Sequence, residues 1–411
     1  MRGSKKNLPL SSPPLPQTWS HPKTPPRANP IDAFKSNNST PVTIAYAISV
    51  TGCGSDPITE GGAVLKHSIH LNSIHGAGRY NYALFAIYHP SAVSCALPLK
   101  ALGYELLERE VFVNVADIKG DFLRNKIEQN GCCGEKELIK LEAYTLTDYP
   151  IAVHLDLDVL MLKPMDVVFD AMLQDGVSQS TFQTHSVMWP DDPLPTSINA
   201  FFTLDYNMVG PKKQYKPVQG GFLVMRPDLN VYEEFRAIVL EGDFRDGQGW
   251  GGKVGPFHGS MTFQGIISYY YNVLHPGQAI ELNRCVYNQM CDNPRTGKTV
   301  NDVVQGECRT NTETCEDCRE RNLEDIVTTH YTLCQKPWWC LSHENDSLQH
   351  RLCRKLVHEW YKVRSDLEQS WGRSGRGPGT HETDFFYGYC NKMGKGGYIP
   401  IEAPYGTGSV R

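Results

Sequence analysis

No run in the 411-residue chain approaches the roughly 18 apolar residues that a membrane-spanning helix needs, the longest plausible stretch being Thr43 to Val50. No transmembrane segment is therefore expected. Charge of one sign is also scarce: 40 basic against 45 acidic side chains leave a net charge of -5, so nothing draws a polyanion to the chain as a whole. Nucleic acid is excluded as the expected partner. Internal repeats are absent, and a composition of 40% apolar and 21% charged residues rules out collagenous, wholly disordered and small disulfide-stapled classes. The first 30 residues hold no apolar core of a signal peptide or anchor, since Met1-Arg-Gly-Ser-Lys-Lys runs into a proline-rich stretch.

Cysteine is abundant. Of 13 cysteines, eight fall between Cys285 and Cys353, which points to disulfides in an oxidising lumen, the Golgi or the endoplasmic reticulum. Zinc at Cys315-x-x-Cys318 is the alternative, but zinc sites use four ligands in regular pairs, and Cys308, Cys315, Cys318, Cys334 and Cys340 contain one pair. The odd count leaves at least one thiol outside any disulfide. Sequons at Asn37, Asn38 and Asn345 are compatible with a lumen. The missing signal leaves two expectations open: a true start that lies upstream, or a cytoplasmic protein.

Residues 1–40 carry eight prolines and little that could enter a core, so a disordered leader is expected there. From residue 41 the character changes. Thr43-Ile-Ala-Tyr-Ala-Ile-Ser-Val50 reads as a buried strand, Gly62 to His70 as a helix, Tyr82 to Ile87 as a strand, Glu135 to Tyr144 as a helix, and Ile151 to Asp158 as a further strand. This alternation predicts an α/β fold with a mostly parallel central sheet flanked by helices, over residues 41–340, with a cysteine-rich insertion at 285–318. Residues 341–411 read as a C-terminal helix and a glycine-rich tail. Leu348, Leu352, Leu356, Trp360 and Leu367 form the apolar face of that helix; Arg351, Arg354, Lys355, Lys362 and Arg364 are expected on a solvated face, with a membrane surface as the alternative. The tail, with ten glycines in its last forty residues, is expected to wrap loosely or to move.

The chemistry is expected at Asp156-Leu157-Asp158. Alternation along a strand points both carboxylates to one side, and two hard oxygen ligands there suit Mg2+ or Mn2+ with positions left for a diphosphate. Open parallel sheets bind ligands beyond the carboxyl ends of their strands, which is where these acids fall. A solvated turn or a structural calcium site is the plainer reading.

The run from Lys140 to Asp166, which contains Ile151-Ala-Val-His-Leu-Asp-Leu-Asp158, resembles the central segment of glycogenin-like glycosyltransferases, family 8. Similar matches follow in the same order at Thr43 to His70, at Gln219-Gly-Gly-Phe-Leu-Val-Met-Arg-Pro227, and at His330-Tyr-Thr-Leu-Cys-Gln-Lys-Pro-Trp338. The resemblance implies a GT-A (Rossmann-like) nucleotide-diphospho-sugar transferase fold and a metal-dependent, retaining glycosyltransferase. The expected donor is a nucleotide-diphosphate sugar, a UDP-sugar first, carrying a hexose or N-acetylhexosamine, and the expected acceptor is a glycan or glycoprotein. On this resemblance Asp156, Asp158 and His330 hold the cation, Asp156 also touching the ribose. Lys336 neutralises a diphosphate oxygen, and Lys140 reaches the donor from its helix. Thr51 falls where members contact the base or ribose, Gln219 where they place a polar contact to the transferred group, and Gly220, Gly221 and Gln264 along the donor. Each has a plainer rival: His330 as a core histidine, Lys140 as a surface partner of Glu137 or Glu142, and Gly220-Gly221 as a β-turn.

Departures from the family pattern are specific. Where members carry Gly-Gly-Asp-Gln-Gly, this chain reads Gly259-Ser-Met-Thr-Phe-Gln-Gly265, so Phe263 stands in place of the acid that grips the sugar. Asp243, Asp246 and His258 lie upstream as substitutes. Leu333 replaces a glycine after the histidine, and the cysteine-rich insertion has no counterpart in glycogenin; an acceptor-binding lid is one reading of it. A catalytically inactive sugar-nucleotide-binding or cysteine-rich interaction module is the alternative function, with Phe263 as its main support. A zinc-dependent regulatory domain is the third.

Overall fold

A computed structural model describes residues 41–54, 57–173, 182, 185–186, 195, 197–295, 308–310, 315–341, 348–373 and 383–402. The expected leader at 1–40, the sequons at Asn37, Asn38 and Asn345, and much of the cysteine-rich insertion lie outside these residues. In chain order the strands are β1 Thr43–Val50, β2 Asn81–Tyr88, β3 Glu105–Glu108, β4 Ala152–Leu155, β5 Val159–Met161, β6 Ala200–Leu204, β7 Val218–Met225, β8 Phe244–Arg245, β9 Gly249–Trp250, β10 Ala279–Glu281 and β11 Thr328–His330. The helices are α1 Ile58–Leu71, α2 Val93–Ala101, α3 Asp121–Lys126, α4 Asp166–Leu173, α5 Leu229–Glu241, α6 Phe263–Tyr269, α7 Leu348–Ser370 and α8 Thr383–Phe386.

Seven strands form one sheet in the order β10-β6-β7-β4-β1-β2-β3. Strands β1, β2, β3 and β4 are mutually parallel where they pair, as are β6 and β10, while β7 runs antiparallel to both β4 and β6. The chain is thus mixed α/β with a mostly parallel sheet, as expected. Alternate residues of β1 supply opposite faces: Ile44, Tyr46, Ile48 and Val50 join one apolar cluster with α1, α2, α4 and α7, and Ala45 and Ala47 join the other with α5 and α6. A sheet covered on both sides reads as continuous apolar runs, which is why β7 is buried along its whole length. Strand order reverses between β1 and β4, so a crevice opens beyond their carboxyl ends.

Several expectations are corrected here. The segment expected as a helix, Glu135 to Tyr144, is helical but of the 3-10 type, Gly134–Thr145. Strand β4 stops at Leu155, so Asp156-Leu157-Asp158 is a turn between β4 and β5 and not a strand end. In α7, Arg351, Arg354, Lys355 and Lys362 are exposed, but Arg364 is fully buried. Its guanidinium lies 4.0 Å from the ring centre of Tyr389 and 4.9 Å from that of Tyr398, donates to Glu368 at 3.2 Å, and reaches the Ile399 carbonyl at 2.8 Å. Helical spacing alone cannot show that the chain returns over that face. It does return: Tyr389, Cys390 and Ile401 of the glycine-rich tail are buried, and Ile401 N–H donates to Glu60 of α1. This part of the tail is a packed cover, and α7 shares the core of the sheet.

Six disulfides are formed: Cys53–Cys95, Cys132–Cys133, Cys285–Cys318, Cys308–Cys315, Cys334–Cys353 and Cys340–Cys390. Cys291 remains a buried thiol. Cys315 and Cys318 are consumed by different disulfides, so the zinc pair is not available. Among the described residues no helix is long and apolar enough to cross a membrane.

Candidate metal centre and its surroundings

Two strand registers assemble the centre. Pairing of β4 with β7 sets Leu155 opposite Phe222, and Asp156 N–H then donates to the Gly221 carbonyl at 3.0 Å. Pairing of β5 with β11 sets Val159 opposite His330, and Tyr331 N–H donates to the Asp158 carbonyl at 2.9 Å. Residues far apart in sequence are thereby brought to one turn. One ligand atom each from Asp156, Asp158 and His330 lies within 4.8 Å of the others. The carboxylates converge because the turn curls them together, and strand alternation plays no part.

The charges are matched in pairs. Lys140 Nζ donates to Asp156 Oδ1 at 2.9 Å, and Lys336 Nζ is bonded to Asp158 Oδ2, with His330 Nε2 at 3.3 Å from Asp158 Oδ1. Burial by itself would push both carboxyls up; Lys140 offsets this at Asp156, and His330 with Lys336 does so at Asp158, so both lie below the usual carboxylate range. Burial likewise favours loss of the Lys140 proton, but Asp156 holds the ammonium above the ordinary lysine value. Two acids against two ammoniums leave the centre near formal neutrality.

The residues fit a divalent cation on three counts. Their donor set is two hard oxygens and an imidazole. His330 is 3% exposed, yet its Nδ1 has no hydrogen-bond partner. The missing side chain of Gly221 leaves a hollow between the two ligands: a Cβ there would lie 2.4 Å from His330 Cε1, 3.0 Å from Nδ1 and 2.8 Å from Asp156 Oδ2. A small cavity of about 120 Å³ opens beside Asp158 and Lys336.

The remaining expected residues are distributed as follows. Gly220 and Gly221 sit inside β7, which removes the β-turn alternative. Gln219 is buried; its Oε1 accepts from Gly221 N–H at 2.7 Å and from Asn288 Nδ2 at 3.2 Å, which leaves its own NH2 as the free end of the amide. Gln264 accepts from Gly220 N–H at 3.2 Å. Lys140 is not a surface partner of Glu142, since Glu142 is bound by Tyr232 and Arg109. Thr51 follows β1 at the crevice and lines a larger cavity of about 630 Å³. Phe263 is buried with its ring 5.6 Å from that of His154 and 5.7 Å from Lys140 Nζ. Asp243, Asp246 and His258 are all exposed, and Asp243 pairs with Arg245. Leu333 is 41% exposed.

Two neighbours were not expected. Asp205 directly follows β6 at the same sheet edge and is buried; burial, then Asp292, pushes its carboxyl up to about 6, and it lies within electrostatic reach of His330. Its signal was available, because an apolar strand ending in an acid, Ala200 to Asp205, repeats the β4 pattern. Asn288, fully buried with φ of 53°, ties Gln219 to Thr203 and has no partner for its Oδ1. Nothing local in the sequence marks it.

No family model matches the sequence, and no curated protein does. Among solved structures the chain is similar to the apo form of mouse xyloside xylosyltransferase 1, with 11% identity, 72% of this chain and 100% of that chain covered, and a TM-score of 0.43. It is also similar to the galactosyltransferase LgtC in complex with donor and acceptor sugar analogues, at 13% identity, 78% and 100% coverage and a TM-score of 0.38. A third is the glycosyltransferase GlyE of Streptococcus pneumoniae TIGR4, at 10% identity, 80% and 64% coverage and a TM-score of 0.40.

Proposed function

We propose that the chain is a GT-A glycosyltransferase that moves a hexose or N-acetylhexosamine, with retention of configuration, from a UDP-sugar to a hydroxyl of a glycan or glycoprotein in the secretory-pathway lumen. One observation carries this reading: Asp156, Asp158 and His330 converge on a hollow beside two lysines, at the carboxyl edge of a parallel sheet. The uridine base, the sugar class and the stereochemistry rest on the family resemblance; the compartment rests on the disulfides.

Asp156, Asp158 and His330 would hold Mn2+ or Mg2+, which when bound supplies Lewis-acid stabilisation of charge on the diphosphate. The chain's own residues do the rest. Lys336, which neutralises the Asp158 carboxylate, would stabilise charge on a diphosphate oxygen of the leaving group as the anomeric bond breaks. Lys140, buried against Asp156, fixes the orientation of that carboxylate and adds positive potential. Gln219 offers its NH2 as a hydrogen-bond donor to the sugar, its oxygen being occupied. Phe263 makes the floor beside Lys140 apolar, and this favours a second reading, a module that binds the donor without turning it over.

Calorimetry with UDP in the presence and absence of Mn2+, followed by donor hydrolysis over a panel of UDP-sugars, tests both. Metal-dependent binding with turnover, lost in Asp158→Ala, supports the transferase. Binding without turnover across sugars and acceptors supports the module. Equal behaviour of Asp158→Ala and wild type would remove the site from consideration.

A further inference from the structure

The cavity at Thr51 has an unusual wall. Thr51 to Gly54 form one side, and Glu128, Cys132, Cys133, Glu135 and Lys136 form the other. Cys132 and Cys133 are adjacent in sequence and joined to each other. A disulfide stabilises a fold chiefly by closing a loop of unfolded chain, and its contribution grows with loop length. Cys340–Cys390 spans 50 residues and Cys53–Cys95 spans 42, but Cys132–Cys133 spans one and closes no loop. Holding the fold together therefore does not account for it.

Its setting is built with care. Gly131 and Gly134 flank the pair with φ of 67° and 60°, a conformation that favours glycine, and a Cβ on Gly134 would lie 2.4 Å from the Glu128 carbonyl. This Gly-Cys-Cys-Gly turn leaves Cys132 exposed at the cavity. The opposite wall is pinned by Cys53–Cys95 to α2. Immediately after the turn begins the 3-10 helix Gly134–Thr145 that carries Lys140 to Asp156. Glu137 of that helix lies 2.9 Å from Cys132 Sγ and accepts from Thr262 Oγ1 at 3.1 Å.

A volume of about 630 Å³ falls in the range of small-molecule sites. Two carboxylates against one ammonium make the lining unsuited to phosphate but compatible with a neutral ring and its hydroxyls. The family resemblance implies that the nucleotide base lies near Thr51, which lines this cavity; we propose that the Cys132–Cys133 ring on the facing wall is the polarizable platform against which that base packs, so that opening the ring weakens nucleotide binding. This rests on the transferase reading for the identity of the ligand. Sulfur against an aromatic face contributes about 0.3–1.5 kcal/mol, a roughly two- to tenfold change in Kd. Opening requires a dithiol reductant: the S–S bond breaks, two electrons and two protons form two S–H groups, and the dithiol closes to its own disulfide.

The test measures Kd for UDP and for pyrophosphate, both with Mn2+, in the wild type, in the double variant Cys132→Ala/Cys133→Ala, and in Cys308→Ala/Cys315→Ala as a control disulfide. The expected result is a two- to tenfold weaker Kd for UDP in the first variant, with pyrophosphate affinity and the control unchanged. A parallel measurement uses wild type after limited dithiol treatment, with alkylation mapping to show that only Cys132 and Cys133 have opened; UDP affinity should fall and return on reoxidation. Unchanged UDP affinity in the opened form, or an equal loss for pyrophosphate, overturns the platform while leaving the transferase reading intact. Absence of any metal-dependent UDP binding by the wild type overturns both.

Discussion

Gly221→Ala is the sharpest perturbation of the centre. Its added Cβ would sit 2.4 Å from His330 Cε1 and 2.8 Å from Asp156 Oδ2, whereas carbon atoms settle near 3.5–4.0 Å, so the imidazole must retreat by about 1 Å. Neither ligand yields easily. His330 is fixed by its register on β5, and Asp156 by its bond to the Gly221 carbonyl. Overpacking of this kind costs about 1–3 kcal/mol of folding stability. The effect on the ion should be larger in kind, because a misplacement of about 1 Å can cost a functional site on the order of 100-fold. At a UDP concentration of 100 Kd the wild type should gain about 2.7 kcal/mol from Mn2+ and UDP together, and the variant close to none. For a domain of this size that is a loss of roughly 2–4 °C in the ligand-induced rise of Tm. Gly220→Ala is the control: its Cβ would meet Gln264 Oε1 at 2.8 Å, the far end of a flexible side chain that can rotate away. If Gly221→Ala keeps the wild-type Mn2+-dependent affinity for UDP, the hollow between His330 and Asp156 does not hold the ion.

Three further outcomes are expected. Lys336→Ala removes the ammonium proposed to meet the diphosphate and should weaken UDP binding by about 10- to 100-fold, the worth of a charge-assisted hydrogen bond, in calorimetry with Mn2+; an unchanged Kd would contradict the assignment. Arg364→Met leaves Glu368 buried without its guanidinium and should cost about 3–5 kcal/mol in denaturant unfolding, while Arg364→Met/Glu368→Leu recovers most of it; a loss below about 1 kcal/mol in the single variant would mean that the buried pair is not coupled as described. Asp205, with a carboxyl raised to about 6, binds its proton more tightly when folded, so its stabilising contribution is complete below about pH 4 and is lost as pH rises through 6. Asp205→Asn should therefore gain on the wild type between pH 4 and pH 7, by on the order of 3 kcal/mol in metal-free unfolding measurements, and a pH-independent difference would reject this.

Much of the centre was legible because its parts sit in short, patterned segments. The apolar run ending in Asp156 marks a buried strand whose carboxyl end meets solvent, and His330 with Lys336 keeps a recognisable spacing. Even so, the reason inferred for the meeting of the two acids was wrong: the backbone turns after Leu155, and the turn aims them. Lys140 was placed on a helical segment, which the structure makes a 3-10 helix; Leu138, Leu141 and Tyr144, three residues apart, fall on one face of it and are buried. Arg364 misled in the opposite way. A charged residue on a polar helical stripe is normally solvated, and what buries it is a tail whose glycine content argued against packing.

From the sequence alone came the alternation of buried strands and helices, the oxidised cysteines, and the acids and imidazole suited to a hard cation, because each depends on residue type and near-neighbour spacing. Tertiary structure decided the rest. The meeting of His330 with Asp158 depends on a strand register between segments about 170 positions apart; the hollow at Gly221, the bonds that orient Gln219, and the pairing of Cys132 with its own neighbour depend on distances of a few ångströms. Such distances are set by how whole layers pack, and no local pattern in a chain encodes them.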